Sequence, residues 1–261
     1  MIDLAPHNPY GLALQSPVIV APGCAAPLRD PDSAQLGAIV TRIAVLHGRY
    51  TPQSRFASVP AGVVFERLPV TRLRTLLQTE AKRWARLSLP VLLCLQGTAD
   101  ELAEMAVQLE ALDALAGVVI EVQAEQAQLG VTAVRDQTAL PLLVMLPAET
   151  PEIAAECVGA GADALIVQAY PHVAAVANGE VFEGQLLGPT LAPRTLHALR
   201  RAAELVEVPL LAFGGVADEQ IARQCLLTGA TGVLVDGALY GDPYAPQRIG
   251  LALRGASGTG S

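Results

Sequence analysis

Long apolar runs, clusters of basic side chains and paired cysteines are what this 261-residue chain lacks. No stretch reaches the roughly 18 consecutive apolar residues that a membrane-spanning helix requires, so no membrane association is expected. The opening Met1-Ile2-Asp3-Leu4 has neither the basic start nor the apolar stretch of a secretory signal, and the expected location is the cytoplasm. Seventeen Lys and Arg stand against 25 Asp and Glu, a net charge of −8. The densest basic run, Lys82-Arg83-Trp84-Ala85-Arg86 with Arg72 and Arg74 before it, has the spacing of a solvated helix face. An anionic surface without a basic patch works against phosphate backbones, so no nucleic-acid partner is expected.

None of the four cysteines, Cys24, Cys94, Cys157 and Cys225, stands in a CxxC spacing, which argues against a zinc site. Three fall in strand or helix patterns and read as small buried hydrophobes. Cys24 falls in a loop, where it either faces a ligand or fills space. No dense Asp/Glu/His cluster suggests a dinuclear metal site. There is no internal repeat, no low-complexity segment and no sign of a second domain.

What the chain has is rhythm. Near-continuous apolar runs recur at 17–21, 38–42, 90–95, 118–123, 141–146, 164–168, 209–213 and 232–236, the pattern of parallel strands covered on both faces. Helical periodicity separates them, at 71–87, 98–112, 151–159, 194–206 and 218–227. Thr98-Ala99-Asp100-Glu101 reads as a capping box, Thr150-Pro151 as an N-cap followed by a first helical proline, and Gly229 as a C-terminal cap. The first helix looks short, at 30–36. Strands alternating with helices imply βαβ units, and eight of them close most naturally into a single (β/α)8 TIM barrel over 1–254. A Gly/Ser-rich tail at 255–261 is expected to be disordered. The stretch 46–68 reads as a long irregular insert.

Barrel chemistry sits at the C-terminal ends of the strands. Those ends carry Pro22-Gly23-Cys24, Arg42, Gln96, Glu121 and Gln123, Met145, Gln168 with Tyr170 and His172, Gly214-Gly215, and Asp236-Gly237. Arg42 ends a buried run, and an unpaired buried guanidinium is costly. It therefore reaches either a ligand or an acidic partner such as Glu121. His172, in a polar loop after Tyr170-Pro171, reads as a surface residue. Gly214-Gly215 suits a phosphate-binding turn or merely a tight one, and Asp236 would repel a phosphate beside it.

Several segments resemble the dihydroorotate dehydrogenase family of FMN-dependent TIM barrels. Asp3-Leu4-Ala5-Pro6 and Gly11-Leu12-Ala13-Leu14-Gln15-Ser16-Pro17-Val18 are similar to its opening, which leads into a flavin loop that here is Ala21-Pro22-Gly23. Leu36-Gly37-Ala38-Ile39-Val40-Thr41 resembles its second strand, and 184–193, with Gly188-Pro189, its Gly-Pro segment. Val208–Val216 resembles the phosphate-binding strand and turn, and 227–243 the last unit. The resemblance implies an FMN-dependent oxidoreductase of pyrimidine metabolism acting on a small ring, with a homodimer or pairing with another family member. It implies cofactor-binding roles for Ala21, Gly23, Arg42, Gln123, Gln168, Gly188, Gly214, Gly215 and Gly237, and no metal.

The departures are as specific as the matches. The family's strand-two Lys falls on Arg42, its strand-five Lys on Met145, and a substrate-binding Asn near Phe65. Two further Asn fall on Gln123 and Gln168. The stretch carrying the catalytic base becomes Ala124-Glu125-Gln126-Ala127, and the final Gly-Thr becomes Asp236-Gly237. Loss of the base removes the group that takes the proton as hydride leaves. Glu125 and Arg42 are the remaining candidates for catalytic roles. Three expectations stay open: an oxidoreductase with another ring substrate, a non-catalytic paralogue serving as a binding or scaffold subunit, and a barrel for another phosphorylated ligand.

Overall fold

In the computed structural model, residues 2–25, 35–48, 55–109, 112–239 and 241–257 are described. Most of the expected first helix, positions 30–34, lies outside them, as do positions 258–261 of the expected tail.

Eight strands form the barrel: β1 Val18–Val20, β2 Ala38–Val40, β3 Val91–Gln96, β4 Gly117–Glu121, β5 Leu142–Pro147, β6 Ala164–Gln168, β7 Leu210–Phe213 and β8 Gly232–Val235. Each pairs in parallel with the next, and β8 pairs with β1, which closes the sheet. The (β/α)8 expectation holds, and every apolar run read from the sequence became a barrel strand. The strands are short and β-branched or Leu-rich, and nearly all their residues are buried, since side chains on one face fill the barrel and those on the other meet the helices.

The helices are α1 Leu73–Trp84, α2 Ala99–Val107, α3 Ala127–Arg135, α4 Ala154–Gly159, α5 Ala192–Ala203, α6 Glu219–Leu227 and α7 Ala245–Ser257. At α2 the capping box forms as expected: Glu101 N–H donates to Thr98 Oγ1, and Thr98 N–H to Glu101 Oε2 at 2.9 Å. Thr150 is different. The chain enters α4 through a 3-10 turn, Pro151–Ile153, and Thr150 makes no capping bond. Its φ of −128° and ψ of 56° lie off the extended geometry that aims an N-cap oxygen at the helix amides.

The N-terminal end is plugged by the short antiparallel pair Ile2–Asp3 and Ala13–Leu14, whose neighbours Leu4, Ala5 and Leu12 are buried in the core. There Asp163 gathers donors, accepting from Arg135 Nη2 at 2.7 Å, Leu142 N at 2.8 Å and Asn8 Nδ2 at 3.1 Å.

Two features above the barrel were not expected. First, strand two does not end at Arg42. It resumes at Ile43–Val45, which pairs in parallel with Val70–Arg72 and meets β3 at Ala44 and Leu95. Val40 pairs with Leu92, so four steps along strand two match three along β3. That extra residue is a bulge, held by Thr41, whose Oγ1 accepts from Cys94 N–H at 3.1 Å. Second, the insert is not structureless. Phe56–Val59 and Gly62–Phe65 form a hairpin, and Gly62–Phe65 pairs with a second hairpin, His172–Ala177 and Glu180–Leu187. The resulting four-stranded antiparallel sheet has its own small core of Ala57, Val64, Ala175 and Phe182. The turn of the second hairpin is Asn178-Gly179, both at positive φ, the strongest short hairpin signal a sequence carries. The hairpin also places His172, expected in a polar loop, at the start of a strand.

Candidate functional site

The C-terminal ends of β3 to β6 open into a cavity of about 820 Å³, within the range of small-molecule sites. Its floor is built from the last residues of three strands. Gln96 ends β3, Glu121 ends β4 and Gln168 ends β6. Gln96 Nε2 donates to Glu121 Oε2 at 3.0 Å. Burial pushes the Glu121 carboxyl above its usual range, and a hydrogen bond from Gln168 partly offsets that. The adjacent Cys94 thiol is driven up by burial and, secondarily, by the Glu121 charge.

The walls come from the loops. Thr98 and Glu101 stand at the α2 N-terminus, and Gln123, Glu125 and Gln126 in the 3-10 turn that precedes α3. Glu149 and Thr150 follow β5, Tyr170 follows β6, and His172 and Gln185 arrive from the second hairpin. The charge balance is one-sided. Glu101, Glu121, Glu125 and Glu149 line the cavity, and among the described residues its lining includes no Lys or Arg. Glu149 is engaged by Arg194 of α5. His172 is exposed but does face the cavity, so the surface reading was incomplete: the hairpin folds its strand back over the mouth.

The expected site residues do not all converge. Gln123, Glu125 and Gln168 share this cavity. Arg42 does not. The bulge turns its guanidinium toward α1, where it meets Glu80 at 3.4 Å, so the anticipated pair with Glu121 does not form. Arg42 and Gly23 instead border a separate cavity of about 170 Å³ beside Ile39, Leu76 and Trp84. Ala21 is buried, its N–H donating to Val235 O at 3.1 Å. Gly188 lies against the first hairpin, where an added Cβ would sit 2.7 Å from Ala61 O. Gly237 is closed into a turn by Asp242 N–H donating to its carbonyl at 2.8 Å. Cys24 is fully buried, its thiol 3.6 Å from Pro22 O.

The turn after β7 was expected to cradle a phosphate. Gly214 and Gly215 do take positive φ, but the space beside them is filled. Tyr170 reaches over Gly214, packs its ring against Phe213 at a 57° tilt with centroids 4.8 Å apart, and donates its hydroxyl to Asp236. Asp236 is completely buried at the end of β8. A buried carboxylate capped by a phenol does not fit a flavin phosphate, and among the described residues the mouth cavity has no lining Lys or Arg to balance a reduced flavin. Among the described residues, no group of three or more His, Cys, Asp or Glu could hold a metal ion, and no helix is long and apolar enough to cross a membrane.

No protein-family model matches the chain. Individual relatives do. It is 30% identical to the catalytic subunit of dihydroorotate dehydrogenase B (NAD(+)) from Desulforudis audaxviator, across 93% of this chain and 89% of that protein. It is 28% identical to the protein of the same name from Geotalea uraniireducens, across 92% and 88%. For the one from Pelobacter propionicus, 28% identity extends across 93% and 90%.

Proposed function

The chain belongs to the dihydroorotate dehydrogenase family, and from that premise we propose that it is a ligand-binding paralogue that has given up dihydroorotate oxidation. The observation that carries this reading is the mouth cavity, where the charged lining among the described residues is four glutamates without one lysine or arginine. Dihydroorotate carries a carboxylate. Two like charges about 4 Å apart repel by roughly 4 kcal/mol at an effective dielectric of 20, so Glu121 on the cavity floor disfavours that substrate. Met145 and Arg42 stand where the family resemblance implies lysines, and neither supplies positive charge here: Met145 is apolar and Arg42 faces Glu80. The relatives are named as catalytic subunits. This barrel would serve instead as a binding or scaffold subunit in the cytoplasm, as a homodimer or beside a family member.

A second reading keeps the flavin: an FMN-dependent oxidoreductase acting on another small ring. It is favoured by Gly23, which holds positive φ with nothing within 4 Å of a Cβ added there. In it Glu125, on the cavity wall, is the candidate base. A different phosphorylated ligand would meet the same Asp236 carboxylate and is the weakest of the three.

One experiment separates them. The purified chain is incubated with excess FMN and desalted, then its visible spectrum is recorded and dihydroorotate-dependent reduction is assayed. The expected result is a colourless protein with no turnover. A stoichiometric flavin band surviving desalting would overturn the first reading and establish the second.

A further inference from the structure

Tyr170 stands between two parts of the barrel mouth. On one side it lines the acidic cavity. On the other, its Cε1 lies 3.4 Å from where a Cβ on Gly214 would sit, and its hydroxyl donates to the wholly buried Asp236. β7 and β8 are neighbours, with Phe213 opposite Leu234. One ring edge therefore spans from the Gly214-Gly215 turn to the carboxylate at the end of β8.

The turn behind that ring has its acceptors taken and its donors unused. Gly214 O accepts from Thr195 Oγ1 at 2.6 Å, and Gly215 O from Ala217 N–H at 3.0 Å. The N–H groups of Gly214 and Gly215 make no hydrogen bond among the described residues. Both glycines are buried, and buried backbone donors are rarely left unpaired in a native protein. Successive amides in such turns form anion-binding concavities. Gly215 also packs on the first residue of α5, where a Cβ would lie 2.3 Å from Ala192 N, so the positive end of a 12-residue helix stands beside the turn. Thr195 and α5 hold this geometry without help from Tyr170 or Asp236.

Resting on the reading of the chain as a paralogue without flavin, we infer that Tyr170 and Asp236 together determine what the β7–β8 end rejects: they are a two-part lock over a latent cradle for phosphate monoesters. The ring excludes by volume, because it fills the space over Gly214. The carboxylate excludes by charge, because a phosphate entering beside it meets a like charge in a water-poor site. Either part is sufficient. With the ring gone, Asp236 still repels the anion. With the charge gone, an amide at position 236 still accepts from the hydroxyl, and the ring stays in place. Only loss of both opens the turn to the mouth cavity.

The probe is phenyl phosphate, with phenol as the same ring lacking the phosphate. Each is titrated calorimetrically into the full chain as parent, Tyr170→Ala, Asp236→Asn and the double variant, and FMN is titrated into the parent. The parent and both single variants are expected to give no phosphate-dependent binding. The double variant should take phenyl phosphate at least about tenfold more tightly than phenol, and its melting temperature should rise with phenyl phosphate. A second double variant, Tyr170→Leu with Asp236→Asn, keeps apolar contact with Phe213 and guards against loss of the fold. Phenyl phosphate binding to either single variant would overturn the two-part lock, as would its rejection by a folded double variant. Unfolding of both double variants would show the pair to be scaffold and overturn it too. FMN retained by the parent sinks the non-flavin reading and the lock with it, whereas a parent that rejects FMN beside a folded double variant that rejects phenyl phosphate sinks this inference alone.

Discussion

Replacing Tyr170 by Phe tests the closure of the barrel mouth at its β7–β8 side. The substitution keeps the ring, so the tilted packing against Phe213 at 4.8 Å and the cover over Gly214 survive. What goes is the hydroxyl that donates to Asp236. Asp236 is wholly buried, so water cannot replace the lost donor without opening the site. A hydrogen bond to a charged group contributes about 1.5–3 kcal/mol. A domain of this size loses about 2–4 °C of melting temperature per kcal/mol, so the expected drop is roughly 3–12 °C. Calorimetric melting of the parent, Tyr170→Phe, Asp236→Asn and the double variant measures it. The two single losses should not add, because each removes the same contact. A shift below about 1 °C for Tyr170→Phe, or full additivity in the cycle, would refute the idea that this pair locks the strand ends.

Three other outcomes follow from the same geometry. Glu121 has its carboxyl raised by burial from the ordinary 4.5, so it favours the folded state below that value and loses that contribution as pH rises through its folded pKa. Glu121→Gln should therefore stabilise the chain at neutral pH, with the advantage over the parent shrinking toward pH values under 4.5; urea midpoints across the range would expose a trend of the opposite sign. Gly215 and Gly23 share nearly the same φ, 79° and 77°, but a Cβ at Gly215 would lie 2.3 Å from Ala192 N whereas at Gly23 it meets nothing. Gly23→Ala should cost about 1–2 kcal/mol of backbone strain, while Gly215→Ala should cost several times more and reduce folded yield, and equal losses in denaturant melts would contradict this. Arg135 bonds Gly161 O, Thr138 O and Leu140 O besides Asp163, tying the barrel's lower end, so Arg135→Ala should lower stability by about 2–3 kcal/mol in guanidinium titrations; a loss under half a kcal/mol would show the tie to be redundant.

The barrel was legible because its signal is local. A strand buried on both faces must be an apolar run whatever its neighbours are, and a capping box such as Thr98 with Glu101 works within one helical turn. Strand ends could therefore be read off in order, and with them Gln96, Glu121 and Gln168 as candidates for the mouth. The four-stranded sheet over the mouth carried a local signal too, in Asn178-Gly179, but its strands bury few residues, as along Glu180–Leu187, so their apolar alternation is weak.

By itself, then, the sequence determined the order of the eight barrel strands and of most helices, though not α3 or α7, the family, and which residue types stand at the barrel's C-terminal end. Tertiary structure decided which of them meet. The one-residue bulge at Thr41-Arg42 sends Arg42 to Glu80, because side-chain direction in a strand reverses with every residue of register. Tyr170 finds Asp236, 66 positions away, only because closing the barrel brings β6, β7 and β8 side by side. Pairings between distant segments depend on packing that no local window of sequence encodes, and in this chain they decide that the β7–β8 side of the mouth is filled by Tyr170 while an acidic cavity opens beside it.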